Sequence, residues 1–464
     1  MIAIAEPQLK CIKWCKTGAR YQCVQCETRP RGCNTLVNFP PISNLLHERQ
    51  KEYQEDYINR VKANLKTGQA ALVLGAGISK PSEMPLWGPL ISKMMGYAIQ
   101  YDLAGNMTPR FYTKDTPEGS RLLEQSKKMI NGDLRLLGRV NPLEAAEYVA
   151  QLFYDRKSTG HIRRKLEEAA VSSMICRIVD ASKTPKDLLF SEDHPFSDLE
   201  KKVNGGVSLA DAVKEAGTAK KKVIAEQNTM FAVSHLLSAE NGIRCAMTYN
   251  YDPLVQEHML DLFGIEEAQL VTHPGRWNET AVGVAGTREI FHVHGFVPGQ
   301  RHLARHCGRI FPSLSGPLVL SEDSYYRIER EEAYNWSSSI QSYLLNKYNC
   351  LFVGFSADDY NFRRILRQRG DKDNADPSCP HYHYLILTID DWIQDIYQDV
   401  CSSRIRKKDS TVSKDELESL SQDSILLLQY ALDARAHYWE RFNIIPIWIT
   451  INEIPHLLTS LLTP

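Results

Sequence analysis

The sequence has no excess of either charge. Its 464 residues carry 55 Lys and Arg against 56 Asp and Glu, a net −1, which excludes a global electrostatic pull toward nucleic acid or an anionic membrane. It also has no internal repeat, no low-complexity tract and no uncharged apolar run near the ~18–20 residues a membrane-spanning helix requires. The apolar start breaks at Glu6-Pro7, too early for the core of a secretory signal. Nor is there an even set of cysteines: eleven, in a long chain without an export signal, fit reduced thiols better than a disulfide framework. At 43% hydrophobic and 24% charged residues the composition is that of an ordinary globular protein. The expectation is a cytoplasmic α/β or α+β protein.

The first 40 residues differ in texture. They hold Cys11, Cys15, Cys23, Cys26 and Cys33 and six Lys or Arg, and Pro40-Pro41 closes them. We expect residues 1–40 to form a basic, Cys-rich extension and residues 41–464 one domain. Ala70–Leu74 is a short apolar run bounded by glycine, the pattern of a strand buried on both faces. Further such runs occur at Arg244–Thr248, Glu289–Val293, Cys350–Val353, Tyr384–Thr388 and Phe442–Ile449. Helical stretches are expected at Pro89–Tyr97, Ser321–Tyr348, Asp359–Arg369, Ser413–Glu440 and Leu457–Leu462. Between about 105 and 240 the pattern is helical and charge-rich, with no good strand run. Strands alternating with helices predict a Rossmann-like, doubly wound parallel α/β sheet, here carrying a helical insertion.

The chemistry begins at a glycine turn. In an open parallel sheet ligands bind at the carboxyl ends of strands, and glycines there let backbone N–H groups approach a pyrophosphate. Val73-Leu-Gly75-Ala76-Gly77-Ile-Ser79 fits that placement, as does the blander alternative of a tight strand-to-helix turn. The chain lacks the Lys-Ser/Thr of a P-loop and the third glycine of the dehydrogenase fingerprint.

Four segments, taken in order, resemble the sirtuin family. Gly75-Ala76-Gly77-Ile-Ser79, continuing to Pro85-Leu-Trp87, is similar to the sirtuin cofactor loop. Thr248-Tyr-Asn250-Tyr-Asp252 resembles Thr-x-Asn-x-Asp, and His292-Val-His294-Gly295 the His-Gly pair with the catalytic histidine. Leu351-Phe-Val-Gly354-Phe-Ser356 resembles the strand ending in Gly-x-Ser that holds the adenosine ribose. The resemblance implies that NAD+ is bound by Gly75, Ala76, Gly77, Ser79, Pro85, Trp87, Thr248, Gly354 and Ser356, with Asn250, Asp252 and His294 catalytic. Two departures matter. Leu86-Trp87-Gly88 replaces the Asp-Phe-Arg of deacylases. Only Cys307 lies between His294 and Cys350, so the two Cys-x-x-Cys pairs of the family's structural zinc are missing. With Trp87 and Gly354–Asp359, this looks more like the bacterial sirtuin-like proteins of antiphage defence, which hydrolyse NAD+ in an abortive response to infection.

The nicotinamide–ribose bond already has a cationic leaving group, so a protein must hold the ribose, stabilise positive charge and deliver water. An Asn amide can orient that water, an Asp carboxylate faces the cation, and a histidine can accept a proton. Alternatives stand beside these roles. Asn-Tyr-Asp at a strand end also makes a turn bonded to its own backbone. His292 and His294, two apart on a strand, could form a metal pair with His273 or His302. Four N-terminal cysteines could hold zinc, though their spacer is shorter than in common ribbons, and free thiols are the duller alternative. Lys220–Lys222 reads as a solvated helix face, and Arg301, Arg305 and Arg309 lack the interleaved aromatics of a nucleic-acid site.

The expected function is an NAD+ glycohydrolase. The alternatives are an NAD-dependent deacylase or ADP-ribosyltransferase, or a non-catalytic subunit binding NAD+ or ADP-ribose. No ligand-sensing domain is expected after the final helix. Control is therefore expected from homo-oligomerisation or a separate partner, the resemblance suggesting a HerA-type ATPase, and neither a membrane nor a specific nucleic-acid sequence is an expected partner.

Overall fold

The computed structural model describes residues 14–17, 20–23, 56–57, 59–65, 67–104, 114–134, 142–152, 160–191, 195–273, 286–305, 318–321, 324–327, 332–357, 359–373, 382–390, 392 and 414–462. Of the expected extension only a hairpin falls within them, β1 (Trp14–Thr17) paired antiparallel with β2 (Arg20–Cys23). Cys11, Cys26, Cys33 and Arg309, and with them the question of an N-terminal zinc, lie outside the described residues.

The remaining strands are β3 (Ala70–Leu74), β4 (Cys245–Thr248), β5 (Leu270–His273), β6 (Arg288–His292), β7 (Asn349–Val353), β8 (His383–Thr388) and β9 (Ile444–Ile449). They form one sheet in the order β5-β6-β4-β3-β7-β8-β9, and the pairings flanking β3, β6 and β7 are parallel. Every residue of β3, β4, β6 and β7 is buried, which requires cover on both faces of the sheet. This is the Rossmann-like α/β arrangement the apolar runs predict; β3, β4, β6, β7, β8 and β9 fall within a residue or two of the expected positions, and β5 was not expected.

The register decides where chemistry can occur. Leu74 lies opposite both Thr248 and Val353, and Thr248 lies opposite His292. Four central strands therefore end on one line, and the chain leaves the sheet there at Gly75, Tyr249, Val293 and Gly354. The order reverses at β3: β4 to β6 build outward on one side and β7 to β9 on the other. That reversal is where open α/β sheets form their ligand crevice.

Contacts divide the chain into two compact units, Val61–Leu385 with Ile454–Pro464, and Met1–Arg60 with Ile386–Glu453. The first holds that reversal point. Its described residues between 105 and 240 are helical, without a strand. Leu189, Phe196, Leu199, Val213 and Ile224 there bury a core of their own with Phe231, which precedes β4 in the chain, and Leu262 and Phe263, which follow it. Within the second unit, the helix Lys414–Glu440 and β9 bury Leu428, Leu432, Trp439, Ile447 and Trp448.

Candidate active site

The glycine turn is shaped first by packing. The Gly75 amide donates to the Val353 carbonyl (3.1 Å) and the Gly77 amide to the Gly354 carbonyl (2.9 Å). A Cβ on Gly75 would stand 2.4 Å from the Gly354 oxygen, and one on Gly77 2.9 Å from the Gly354 Cα. Gly354 itself has φ +62°, with the Ile78 nitrogen 2.6 Å from where a Cβ would sit. The loops after β3 and β7 thus press backbone on backbone, which only glycine permits. Ala76 is exposed beside them, Gly77 and Pro85 are half-buried, and Ser356 is exposed.

From this corner Ser79 reaches across to β4. Its buried hydroxyl lies 3.2 Å from both Asp252 carboxylate oxygens and accepts the Asn250 Nδ2 donor at 3.0 Å. The turn after β4 is also locally bonded, Asn250 N–H to Thr248 Oγ1 (3.1 Å) and Leu254 N–H to Asp252 Oδ1 (3.2 Å). The plain turn therefore exists, but it does not use the Asn250 amide group. Asn250 Oδ1 is buried and without a hydrogen-bond partner among the described residues, although such an acceptor ordinarily has one. Asp252 is 5% exposed. Burial pushes its carboxyl up to about 6, against the Leu254 amide and Ser79 hydroxyl that pull it down.

The two strand-end histidines do different work. His292 Nδ1 meets the Asn250 carbonyl oxygen at 2.9 Å and Nε2 meets Gln256 Nε2 at 2.7 Å. The carbonyl can only accept, so Nδ1 carries the proton and Nε2 accepts from Gln256. Burial holds this ring down at about 4, and hence neutral, against the raising effect of Asn250. His292 braces the Asn250 peptide. His294, 4% exposed, turns instead to Asp359: Nε2 lies 3.2 Å from Asp359 Oδ2. Tyr325 donates its hydroxyl to that same oxygen, and Tyr249 meets the His294 ring edge-on at 4.8 Å. Burial would raise the Asp359 carboxyl; His294, Tyr325 and the Phe362 amide outweigh it and hold the carboxyl below its ordinary range.

The structure thus joins Ser79, Asn250 and Asp252 in one hydrogen-bonded group, with His292, the last residue of β6, linking the Asn250 backbone to the strand end two residues before His294. Trp87, first residue of the helix Trp87–Leu103, stacks on Tyr251 at 6.4 Å. The residues weighed as metal donors are separated: His273 stacks on Phe291, and His302 Nε2 lies 3.1 Å from Glu257 Oε2. No group of three His, Cys, Asp or Glu suited to a metal is found among the described residues. Arg301 and Arg305 face inward or pair locally, Arg301 with Asp180, Ser182 and Glu257 and Arg305 with Asp261. Asp359 and Tyr325 were missed as site residues from sequence. An Asp directly ahead of an amphipathic helix is a signal for a helix cap, and nothing local singles out Tyr325.

A parallel sheet with a glycine corner, a buried Asn–Ser–Asp group and a buried histidine at its switch point defines an α/β protein with a Rossmann-like sheet. More particularly, residues 244–412 match the SIR2-like domain, a span that includes Asn250, Asp252, His294 and Asp359 and leaves out the Gly75–Ser79 loop. Such a domain implies use of NAD+. No curated protein matches the chain.

Proposed function

We propose that this protein hydrolyses NAD+ to nicotinamide and ADP-ribose. The observation that carries the reading is Asn250: its Nδ2 is tied to Ser79 and its backbone to His292, while Oδ1 is a buried acceptor with no partner among the described residues. An oriented, unused acceptor suits a water molecule or a ribose hydroxyl. In the reaction the C1′–nitrogen bond breaks with its electron pair going to the nicotinamide ring. The oxygen of water bonds to C1′, and His294 takes the released proton. Asp252, ionised above about pH 6, offsets positive charge developing on the ribose.

The missing zinc cysteines and Leu86-Trp87-Gly88 favour hydrolysis over deacylation, and an antiphage role through NAD+ depletion, under the control of self-assembly or a partner ATPase, belongs to the same proposal. Chromatography of NAD+ incubated with the purified protein tests it. Nicotinamide and ADP-ribose accumulate with the wild type and not with Asn250→Ala or His294→Ala. Turnover only with an acetyl-lysine peptide would make it a deacylase. NAD+ binding without turnover would make it a nucleotide-binding subunit.

A further inference from the structure

Asp359 is the residue ahead of the helix Tyr360–Asp373, and its two carboxylate oxygens have separate tasks. Oδ1 accepts the Phe362 amide at 2.8 Å, the capping bond expected three residues into a helix. Oδ2 faces the other way, taking the Tyr325 hydroxyl and lying 3.2 Å from His294 Nε2. A cap needs one oxygen and any exposed Asp supplies it. Here the second oxygen is buried, in a charged group held among Tyr249, Tyr251 and Tyr325. Burying a carboxylate is unfavourable unless it is paired, so the arrangement persists because His294 and Tyr325 pair it.

We infer that Asp359 is a positioning residue that fixes the tautomer of His294, placing the proton on Nε2 and leaving Nδ1 as the basic atom. This rests on reading His294 as the base. A carboxylate only accepts, so Nε2 must be the protonated nitrogen. Among the described residues Nδ1 has no hydrogen-bond partner. Tyr325 holds Oδ2 from the opposite side, and its hydroxyl is 3.4 Å from Nε2, so it steadies the pair without replacing the carboxylate. The acceptor for the water or ribose proton is then Nδ1. The glycine corner contributes indirectly, since the loop pressed against Gly75 and Gly77 is the one that delivers Asp359.

The decisive variant is Asp359→Asn. Asn caps helices as well as Asp, so the helix start survives, but the amide can turn its NH2 group to Nε2 and stabilise the wrong tautomer. Two readouts are needed: steady-state kinetics with NAD+, and 15N chemical shifts of the histidine rings in the full chain, with His294 assigned by its loss in His294→Gln. In the wild type the shifts report a protonated Nε2 and an unprotonated Nδ1. In Asp359→Asn the protonated nitrogen switches to Nδ1 and kcat falls roughly 10²-fold with little change in KM. Tyr325→Phe keeps the wild-type tautomer and loses less than about tenfold. An unchanged tautomer with unchanged kcat in Asp359→Asn overturns the assignment, as does a switch in Tyr325→Phe as complete as in Asp359→Asn. Should the wild type turn over no NAD+, the nitrogen shifts still decide: a tautomer that switches upholds the pairing while the hydrolase reading falls.

Discussion

The carboxyl ends of β3 and β7 and those of β4 and β6 lie along one edge of one sheet, yet they are made of different material. The first pair ends in Gly75, Gly77 and Gly354, whose backbones touch and carry no charge. The second ends in Asn250, Asp252, His292 and His294, all buried and polar. Each glycine loop sends one side chain across, Ser79 to Asn250 and Asp252, and Asp359 to His294. Close packing on one side supplies fixed positions, and the other side spends stability on buried ionisable groups. A binding and reacting crevice needs both, because a buried carboxylate is useful only where something rigid aims it.

Acid should break the second region first. His292 in that region, and His273 on β5 and His258 and His235 on helices outside it, are all held near 4 by burial, and none lies in the glycine corner. A histidine whose folded value is depressed supports the fold fully above its unfolded value of ~6.5 and loses that support as pH falls toward about 4. Each such group costs about 3 kcal/mol once protonated, and four together rival the whole ~5–15 kcal/mol of a typical domain. Urea melts from pH 7.5 to 4.5 should show stability collapsing below about pH 6. A flat profile would mean that these rings are hydrated.

The glycine corner is broken by sterics instead. Gly75→Ala puts a Cβ 2.4 Å from a backbone oxygen that cannot move aside, and overpacking of this kind costs about 3 kcal/mol or more. Gly88 is the control: nothing lies within 4 Å of its Cβ position and it sits in the first turn of a helix. Gly88→Ala should therefore melt at or slightly above the wild type. Equal thermal melting of the two variants would show that the loops are not in contact.

Much of this was legible in the sequence. Ala70–Leu74, Cys350–Val353 and the other apolar runs are too short for helices and too continuous for a half-exposed sheet, so burial on both faces follows from pattern alone. Gly75, Asn250, Asp252 and His294 were marked by motif. The strand Leu270–His273 was not, because four residues with Thr and His leave no apolar run to count. Why Gly75 must be glycine was only half read: proximity to a ligand was expected, and the nearer cause is Gly354, some 280 positions away in the chain. Asp359 and Tyr325 are bound to His294 by geometry at long sequence separation, and periodicity carries no such information. His292 was weighed as half of a metal pair, whereas its backbone partner decides its role.

Asp252 sharpens the comparison by a smaller amount. Its folded carboxyl titrates at about 6 because of burial, above the ~3.9 of an unfolded Asp. The charged form is thus a liability present above pH 6, and it vanishes as pH falls below the unfolded value, opposite in sign to the histidines. Asp252→Asn should raise stability by about 2 kcal/mol at pH 7.5, with the gain shrinking toward pH 4, while NAD+ turnover is lost. A variant less stable at pH 7.5 would show that the carboxylate is better paired than its burial implies.

Ser79→Ala probes the bridge between the two regions and should have the smallest effect of the four. The hydroxyl accepts from Asn250 and lies against both Asp252 oxygens, so its removal strands one buried donor and takes one donor from a carboxylate. Leaving a buried partner unmatched costs about 1–3 kcal/mol. Losing the hydroxyl, which lowers the Asp252 carboxyl, should also move the acid limb of NAD+ turnover to higher pH. Both follow from one atom, so they should appear together. A loss of stability with an unmoved pH limb would mean that Ser79 serves Asn250 alone, and that Asp252 is held by the Leu254 amide.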